Sequence, residues 1–263
     1  MPRTQSPPTN LPLASRIRRA GGYVVSTAVR LLPRRWRFRA AIVIGWIATP
    51  LLRLTGIVRQ RLTMRMETTR EIVTYHLLEI LTRNGVRFDP IVRTMGWEHV
   101  TNALASGRGV LMVAPHAMLS TFILWLLTDT GAEMHVVSAA PMLVMGTGTP
   151  VRIITATPSS LLQARNVLRS NGLVGAMIDR DAVTSRSTFE VPTDGGPVVI
   201  ADALLQVAFR MNAAVVFHVG HLKGGEIVVT FDVPSPDESR SAEGITEGFI
   251  SFLQKHVTGL RSR

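Results

Sequence analysis

The amino-acid sequence predicts an α/β fold, in which a mixed, largely parallel sheet is flanked by helices and preceded by a basic amphipathic helical arm. Three observations lead to this expectation. Short apolar runs alternate with segments that have helical periodicity. The 263 residues are 46% hydrophobic and 18% charged, so the chain can bury a full core. The positive charge is concentrated in the first quarter of the chain.

The amino-terminal quarter divides into two parts. Residues 1–15 contain four prolines and no apolar periodicity, which predicts disorder. Residues 16–66 form the basic arm: positions 1–66 hold thirteen arginines and no acidic residue. Residues 67–263 carry sixteen basic and eighteen acidic side chains, a net charge of −2. A nucleic-acid enzyme normally has a basic folded body, so this distribution argues against nucleic acid as a partner.

The arm is best interpreted as a membrane-surface segment. Hydrophobic residues, including Trp36 and Trp46, interleave with its arginines, as in helices that lie in the lipid headgroup region. The uncharged run at 40–52 is shorter than the roughly 20 residues that a membrane span needs. The alternatives are a spanning helix, a cleaved targeting peptide, a core helix with basic flanks and a nucleic-acid-binding arm.

In the body, residues 67–263, predicted strands alternate with predicted helices. Apolar spacing predicts helices at 67–81, 97–105, 119–127, 159–169, 197–210 and 238–256. Short apolar runs predict strands at 109–114, 134–138, 151–155, 173–178, 213–219 and 227–233. A polar loop at 179–188 leads into the segment 189–192.

Two of these strands are followed by residues that can carry chemistry. His116 follows the strand at 109–114, and Asp179, Arg180 and Asp181 follow the strand at 173–178. Sites in open α/β sheets lie past the carboxyl ends of strands, so His116 is a candidate general base. The alternative is a histidine that caps a helix or fills a loop.

Other candidate chemistry is weaker. The absence of cysteine excludes disulfides, thiolate ligands and a cysteine nucleophile. The motifs GxSxG, HExxH and GxxxxGK[ST] are also missing. His218 and His221 flank a strand end, but no third ligand is evident, and we expect no metal site.

Together these motifs resemble the lysophospholipid-acyltransferase-like superfamily, most closely the late (lauroyl or myristoyl) acyltransferases of lipid A biosynthesis. The run GVLMVAPH at 109–116 is similar to the first family motif, and DRD at 179–181 with SRSTFEVP at 185–192 is similar to the second. The segment at 195–217, with its small-residue helix, is similar to the third. The resemblance covers roughly residues 67–235.

This resemblance implies an acyltransferase at the cytoplasmic face of a bacterial inner membrane, held peripherally or by a single anchor. The acyl donor would be a thioester of acyl carrier protein or coenzyme A, and no cofactor beyond this substrate is expected. The acceptor would be a hydroxyl or amine of a membrane lipid, with His116 as general base. Acyl carrier protein would be a partner, and the oligomeric state stays open. The residues expected to bind substrate are Arg180, Arg186, Ser187 and Phe189.

One position departs from the family pattern. The family carries a carboxylate five residues after the histidine, where this chain has Thr121. Asp179 or Asp181 would then supply the charge, His116 would act alone, or the protein would be an inactive relative that binds lipid or acyl carrier protein. Arg180 and Arg186 have an alternative role in a structural ion-pair network, and Phe189 has one in packing.

Overall fold

The computed structural model describes residues 13–54, 68–127, 131–138, 151–157, 159–179, 188–191 and 198–256. The helices are α1 (Leu13–Arg30), α2 (Arg34–Leu54), α3 (Thr69–Arg83), α4 (Trp97–Ala105), α5 (Ile123–Leu126), α6 (Ser160–Arg169), α7 (Ala203–Arg210) and α8 (Ala242–His256). The strands are β1 (Val92–Met95), β2 (Val110–Ala114), β3 (Met134–Ser138), β4 (Val151–Thr155), β5 (Leu173–Met177), β6 (Thr188–Val191), β7 (Val198–Ala201), β8 (Ala214–Lys223) and β9 (Glu226–Asp232). Short 3₁₀ helices lie at Met118–Phe122 and Glu238–Arg240.

Seven strands form the main sheet in the order β1-β9-β8-β2-β5-β3-β4. Every neighbouring pair is parallel except β8 and β9, which are antiparallel and joined by a tight turn. β6 and β7 form a separate antiparallel pair. The expected α/β class, with a mixed and largely parallel sheet between helices, is confirmed.

Three elements differ from the expectation. The helix expected at 197–210 is split, because residues 198–201 form β7 and the helix starts only at Ala203. The β-branched residues of β7 favour a strand, which pairs with β6. The helix expected at 119–127 is a 3₁₀ helix followed by the single turn of α5. Strand β1 was not predicted from the sequence.

The sheet separates two apolar layers. Successive residues of β2 point to opposite faces, so Val110 and Met112 belong to one layer while Leu111 and Val113 belong to the other. All five residues of β2 are buried, which explains its continuous apolar sequence. The first layer also contains residues of α1 to α4, and the second contains residues of α6 to α8.

The arm packs on the body through the first layer. Phe38, Ala41 and Ile42 of α2 are buried in it. A Cβ added at Gly45 would lie 2.7 Å from Thr74 Oγ1 on α3, so the absence of a side chain at Gly45 permits this close helix contact. Residues 1–12 lie outside the described residues, and α1 begins at Leu13, inside the segment expected to be disordered.

Several arm arginines bind the body. Arg34 forms an ion pair with Asp89 at 2.6 Å, and Arg30 donates to the carbonyl of Asn84. Arg37 donates to three backbone carbonyls, among them that of Arg87. The interpretation of the arm as a core helix with basic flanks therefore holds for one of its faces. No helix in the described part of the chain is long and apolar enough to cross a membrane.

Candidate active site

The strand register brings His116 and Asp179 together. β2 and β5 are parallel neighbours at the centre of the sheet, and Ala114 pairs with Met177 at their carboxyl ends. His116 and Asp179 each lie two residues beyond this last pair. Adjacent strands are about 4.8 Å apart, so two side chains at the same offset are within reach of each other.

The two residues share two hydrogen bonds. Asp179 Oδ1 accepts from the backbone N–H of His116 at 2.7 Å, and it lies 2.5 Å from His116 Nδ1. The Asp179 side chain is 6% exposed and that of His116 is 22% exposed. The carboxylate is therefore shielded, while the imidazole is partly accessible. Because Nδ1 faces the carboxylate, Nε2 on the other side of the ring is the nitrogen that can exchange a proton with a bound molecule.

Thr121 does not take the place of the family carboxylate. Its hydroxyl donates to the carbonyl of Met118 at 2.7 Å, within the turn of the 3₁₀ helix. No hydrogen bond joins it to the imidazole of His116 in the described structure. The carboxylate that contacts the histidine is Asp179, which comes from the neighbouring strand.

The segment after His116 is anchored on β8. Ser120 is fully buried, and its hydroxyl oxygen accepts from the N–H of Gly220 at 3.0 Å. A Cβ on Gly220 would lie 2.5 Å from the carbonyl oxygen of Leu119, so only glycine lets the 3₁₀ helix approach β8 this closely. Sequence reasoning missed both residues, because neither belongs to a motif that carries chemistry.

A second polar cluster lies beside this anchor. Glu71 accepts from Thr68 and from the N–H of Leu222, and its carboxylate lies 3.1 Å from His221 Nδ1. His221 Nε2 lies 2.8 Å from the carbonyl oxygen of His256. Both ring nitrogens face acceptors, so a protonated His221 would donate one hydrogen bond to Glu71 and one to the carbonyl of His256.

The environment of Glu71 also sets its charge. Burial by itself would raise the pKa of Glu71, but the hydrogen bonds from His221, Thr68 and Leu222 and the charge of His221 together hold the pKa below its ordinary value. The cluster therefore joins α3, β8 and the end of α8 through an ion pair. It holds together the three elements next to the segment that follows His116.

The pairing of His218 with His221 in a metal site does not fit the strand. Residues three apart on a regular strand point to opposite faces, and His221 is already held by Glu71. His218 is buried, and burial lowers its pKa to about 3, so it is neutral. The residues that the structure describes contain no cluster of three potential metal ligands.

The expected substrate-binding residues are placed only in part. Arg180, Arg186 and Ser187 lie outside the described residues, as does Asp181, the other carboxylate expected to orient His116. Phe189 lies in β6, opposite Ile200 of β7, and packs partly buried against the second apolar layer. Its surroundings are those of a packing residue.

The described arrangement can perform one kind of chemistry. A partly accessible imidazole, oriented by a shielded carboxylate, can remove a proton from a hydroxyl or amine. The histidine stands at the carboxyl edge of a parallel sheet, where substrates of α/β enzymes bind. Both features agree with a general base.

Comparison with known proteins assigns no family. No protein-family model matches the chain, and no curated protein matches it. The function is therefore inferred from the geometry of the site and from the residues themselves.

Proposed function

We propose that this protein is an acyltransferase that works at a membrane surface, with His116 as general base and Asp179 as the residue that orients it. The observation that carries the proposal is the hydrogen-bonded pair of His116 and Asp179 at the carboxyl ends of β2 and β5. The resemblance of the surrounding motifs to lysophospholipid acyltransferases names the reaction class.

In the proposed reaction, His116 Nε2 removes the proton from the hydroxyl or amine of a lipid acceptor. The freed electron pair attacks the carbonyl carbon of an acyl thioester on coenzyme A or acyl carrier protein. The carbon–sulfur bond breaks as the ester or amide bond forms, and the thiol leaves with the proton that His116 held. Asp179 stabilises the transient imidazolium through Nδ1.

The outer surface of the arm supports a lipid acceptor. Leu31 of the α1–α2 connection and Ile47 of α2 are 83% and 64% exposed, and they belong to a set of exposed apolar residues on the arm. The other members are Tyr23, Val24, Leu32, Trp36, Val43 and Trp46. Arg35 and Arg39 form no ion pair with the residues described, and the Arg39 guanidinium lies 5.7 Å from the centroid of the Trp36 ring. Both arginines can meet anionic headgroups.

The direction of α2 connects this surface to the site. Arg37, near the start of α2, contacts Arg87 after α3, whereas Gly45 contacts Thr74 nearer the start of α3. The helix therefore runs antiparallel to α3, toward the end of α3 that holds Glu71. Glu71 binds β8 beyond Gly220, next to the segment that follows His116. The exposed apolar side chains in the second half of α2, those of Val43, Trp46 and Ile47, thus lie toward the same edge of the sheet as His116.

Thioester turnover by the purified full chain tests the proposal. Long-chain acyl-coenzyme A and acyl carrier protein thioesters would be offered with vesicles of mixed bacterial lipids, and transfer of labelled acyl chain to lipid would be measured. We expect His116→Ala to abolish transfer and His76→Ala, on the partly exposed side of α3, to leave it unchanged. Transfer that survives in His116→Ala would refute the assigned base. Firm vesicle binding without transfer from any donor would instead favour an inactive lipid-binding relative.

A further inference from the structure

A cleft lies at the opposite edge of the sheet from His116. It has a volume of about 400 Å³ and is formed by the second half of α4, the turn before β2, the α7–β8 connection and the segment after β9. Arg108 on its wall comes just before β2, and His116 comes just after it. Five strand residues separate them, on the order of 20 Å, so the cleft is separate from the proposed reaction centre.

The lining of the cleft includes one arginine and several neutral polar side chains. His99, Asn102, Arg108 and Asn212 contribute to it, and none of the described lining residues is acidic. Arg108 Nε lies 3.5 Å from Ser106 Oγ, and no described carboxylate forms an ion pair with its guanidinium. The side-chain amides of Asn102 and Asn212 make no hydrogen bond with the residues described. These groups are therefore free to bind a ligand that accepts hydrogen bonds and carries negative charge.

The rim of the cleft is apolar. Phe209 and Val233 both line it, and they are 41% and 37% exposed, which is high for large hydrophobic residues. An exposed aromatic ring and an arginine without an ion pair, both lining one cleft, suit a ligand with an apolar part and an anionic group. The volume lies in the range of small-molecule sites.

We propose that this cleft binds a small organic anion, whose phosphate or carboxylate contacts Arg108 while its apolar part covers Phe209. The site does not depend on the acyltransferase proposal, because it uses none of the residues assigned to the reaction.

Ligand-detected NMR with the full chain tests this proposal, with phenyl phosphate as the probe and phenylacetate as a competing carboxylate. For a probe of this size we expect a dissociation constant on the order of 1 mM. Arg108→Gln should weaken binding about tenfold. Arg93→Gln serves as the matched control, because Arg93 lies on β1 beside Glu226, outside the cleft.

Three results would overturn the proposal. These are equal affinity of wild type and Arg108→Gln for phenyl phosphate, equal affinity of wild type for benzyl alcohol, and no binding of phenyl phosphate up to about 20 mM. His116→Ala should bind the probe as wild type does. Loss of acyl transfer and loss of probe binding are thus separate outcomes, so either proposal can fail without the other.

Discussion

Asp179 Oδ1 contacts both the backbone nitrogen and the ring Nδ1 of His116, so one carboxylate oxygen fixes the main chain and the side chain of the same residue. The backbone bond sets where the loop leaves β2, and the ring bond sets the tautomer and the direction of the imidazole. A carboxylate from the 3₁₀ helix that follows His116 is unnecessary for this purpose, because Asp179 after the neighbouring strand supplies one.

Asp179→Asn should lower acyl transfer by about 10⁴-fold, the loss seen when the orienting carboxylate of a serine protease histidine becomes an amide. Asparagine keeps an oxygen that accepts the backbone N–H of His116, but it cannot stabilise an imidazolium by charge. Single-turnover rates with labelled acyl thioester would measure the loss, and circular dichroism would check the fold.

The matched control for this substitution is Thr121→Val, at the position where the family pattern has its carboxylate. Its hydroxyl binds the carbonyl of Met118, so its removal should leave the rate within a few-fold of wild type. A large loss in Thr121→Val together with normal turnover in Asp179→Asn would mean that the assigned roles are reversed.

The sequence was sufficient to predict the fold class because its apolar runs are short, buried on both faces and bounded by glycine. It was sufficient to propose both His116 and Asp179, since each follows a predicted strand. It did not select Asp179 over Asp181, because the choice depends on the register of β2 against β5. That register is set by long-range packing.

Other features lay beyond sequence reasoning for physical reasons. The direction of the Thr121 hydroxyl depends on the 3₁₀ turn that follows Ala117, where a helix was expected. The closeness of Gly220 to Leu119 depends on contact between segments a hundred residues apart. Charge counting also does not reveal that Arg37 meets backbone carbonyls, because those acceptors are present in every sequence.

The outer face of the arm should bind anionic vesicles through its apolar residues. Val43→Ser with Ile47→Ser, which removes two exposed side chains from α2, should weaken binding to phosphatidylglycerol vesicles by about tenfold or more. Co-sedimentation at several lipid concentrations would measure the effect. Because arginines contribute to the attraction, added salt should weaken binding of the wild type.

Leu162→Ser is the control for the vesicle experiment. Leu162 is 58% exposed on α6, which packs on the opposite face of the sheet from the arm. Its loss should leave vesicle affinity unchanged. Equal weakening by both substitutions would show that the contact is non-specific and would remove the arm from the proposed function.

Acid should destabilise the protein through two buried groups, one acting from pH 6.5 downward and the other joining it below pH 4.5. Burial lowers the pKa of His218 from 6.5 to about 3. Below pH 6.5, therefore, this histidine is protonated in the unfolded chain but stays neutral in the folded chain. The free energy of unfolding should therefore fall by up to about 1.4 kcal/mol per pH unit from pH 6.5 downward. The pKa of Glu71 lies below its ordinary value of 4.5 in the folded state, so its contribution is present above pH 4.5 and is lost below it.

Urea unfolding between pH 7 and pH 4 would separate the two groups. His218→Leu removes a buried ring whose Nδ1 has no hydrogen-bond partner in the described structure, so it should flatten the loss of stability between pH 6.5 and pH 4.5. Glu71→Gln should lower stability at pH 7, because it breaks the ion pair with His221. If wild type and His218→Leu lost stability in parallel across that window, His218 would not be the group whose neutral folded state causes the loss. The acid sensitivity of the fold would then have to arise from another histidine.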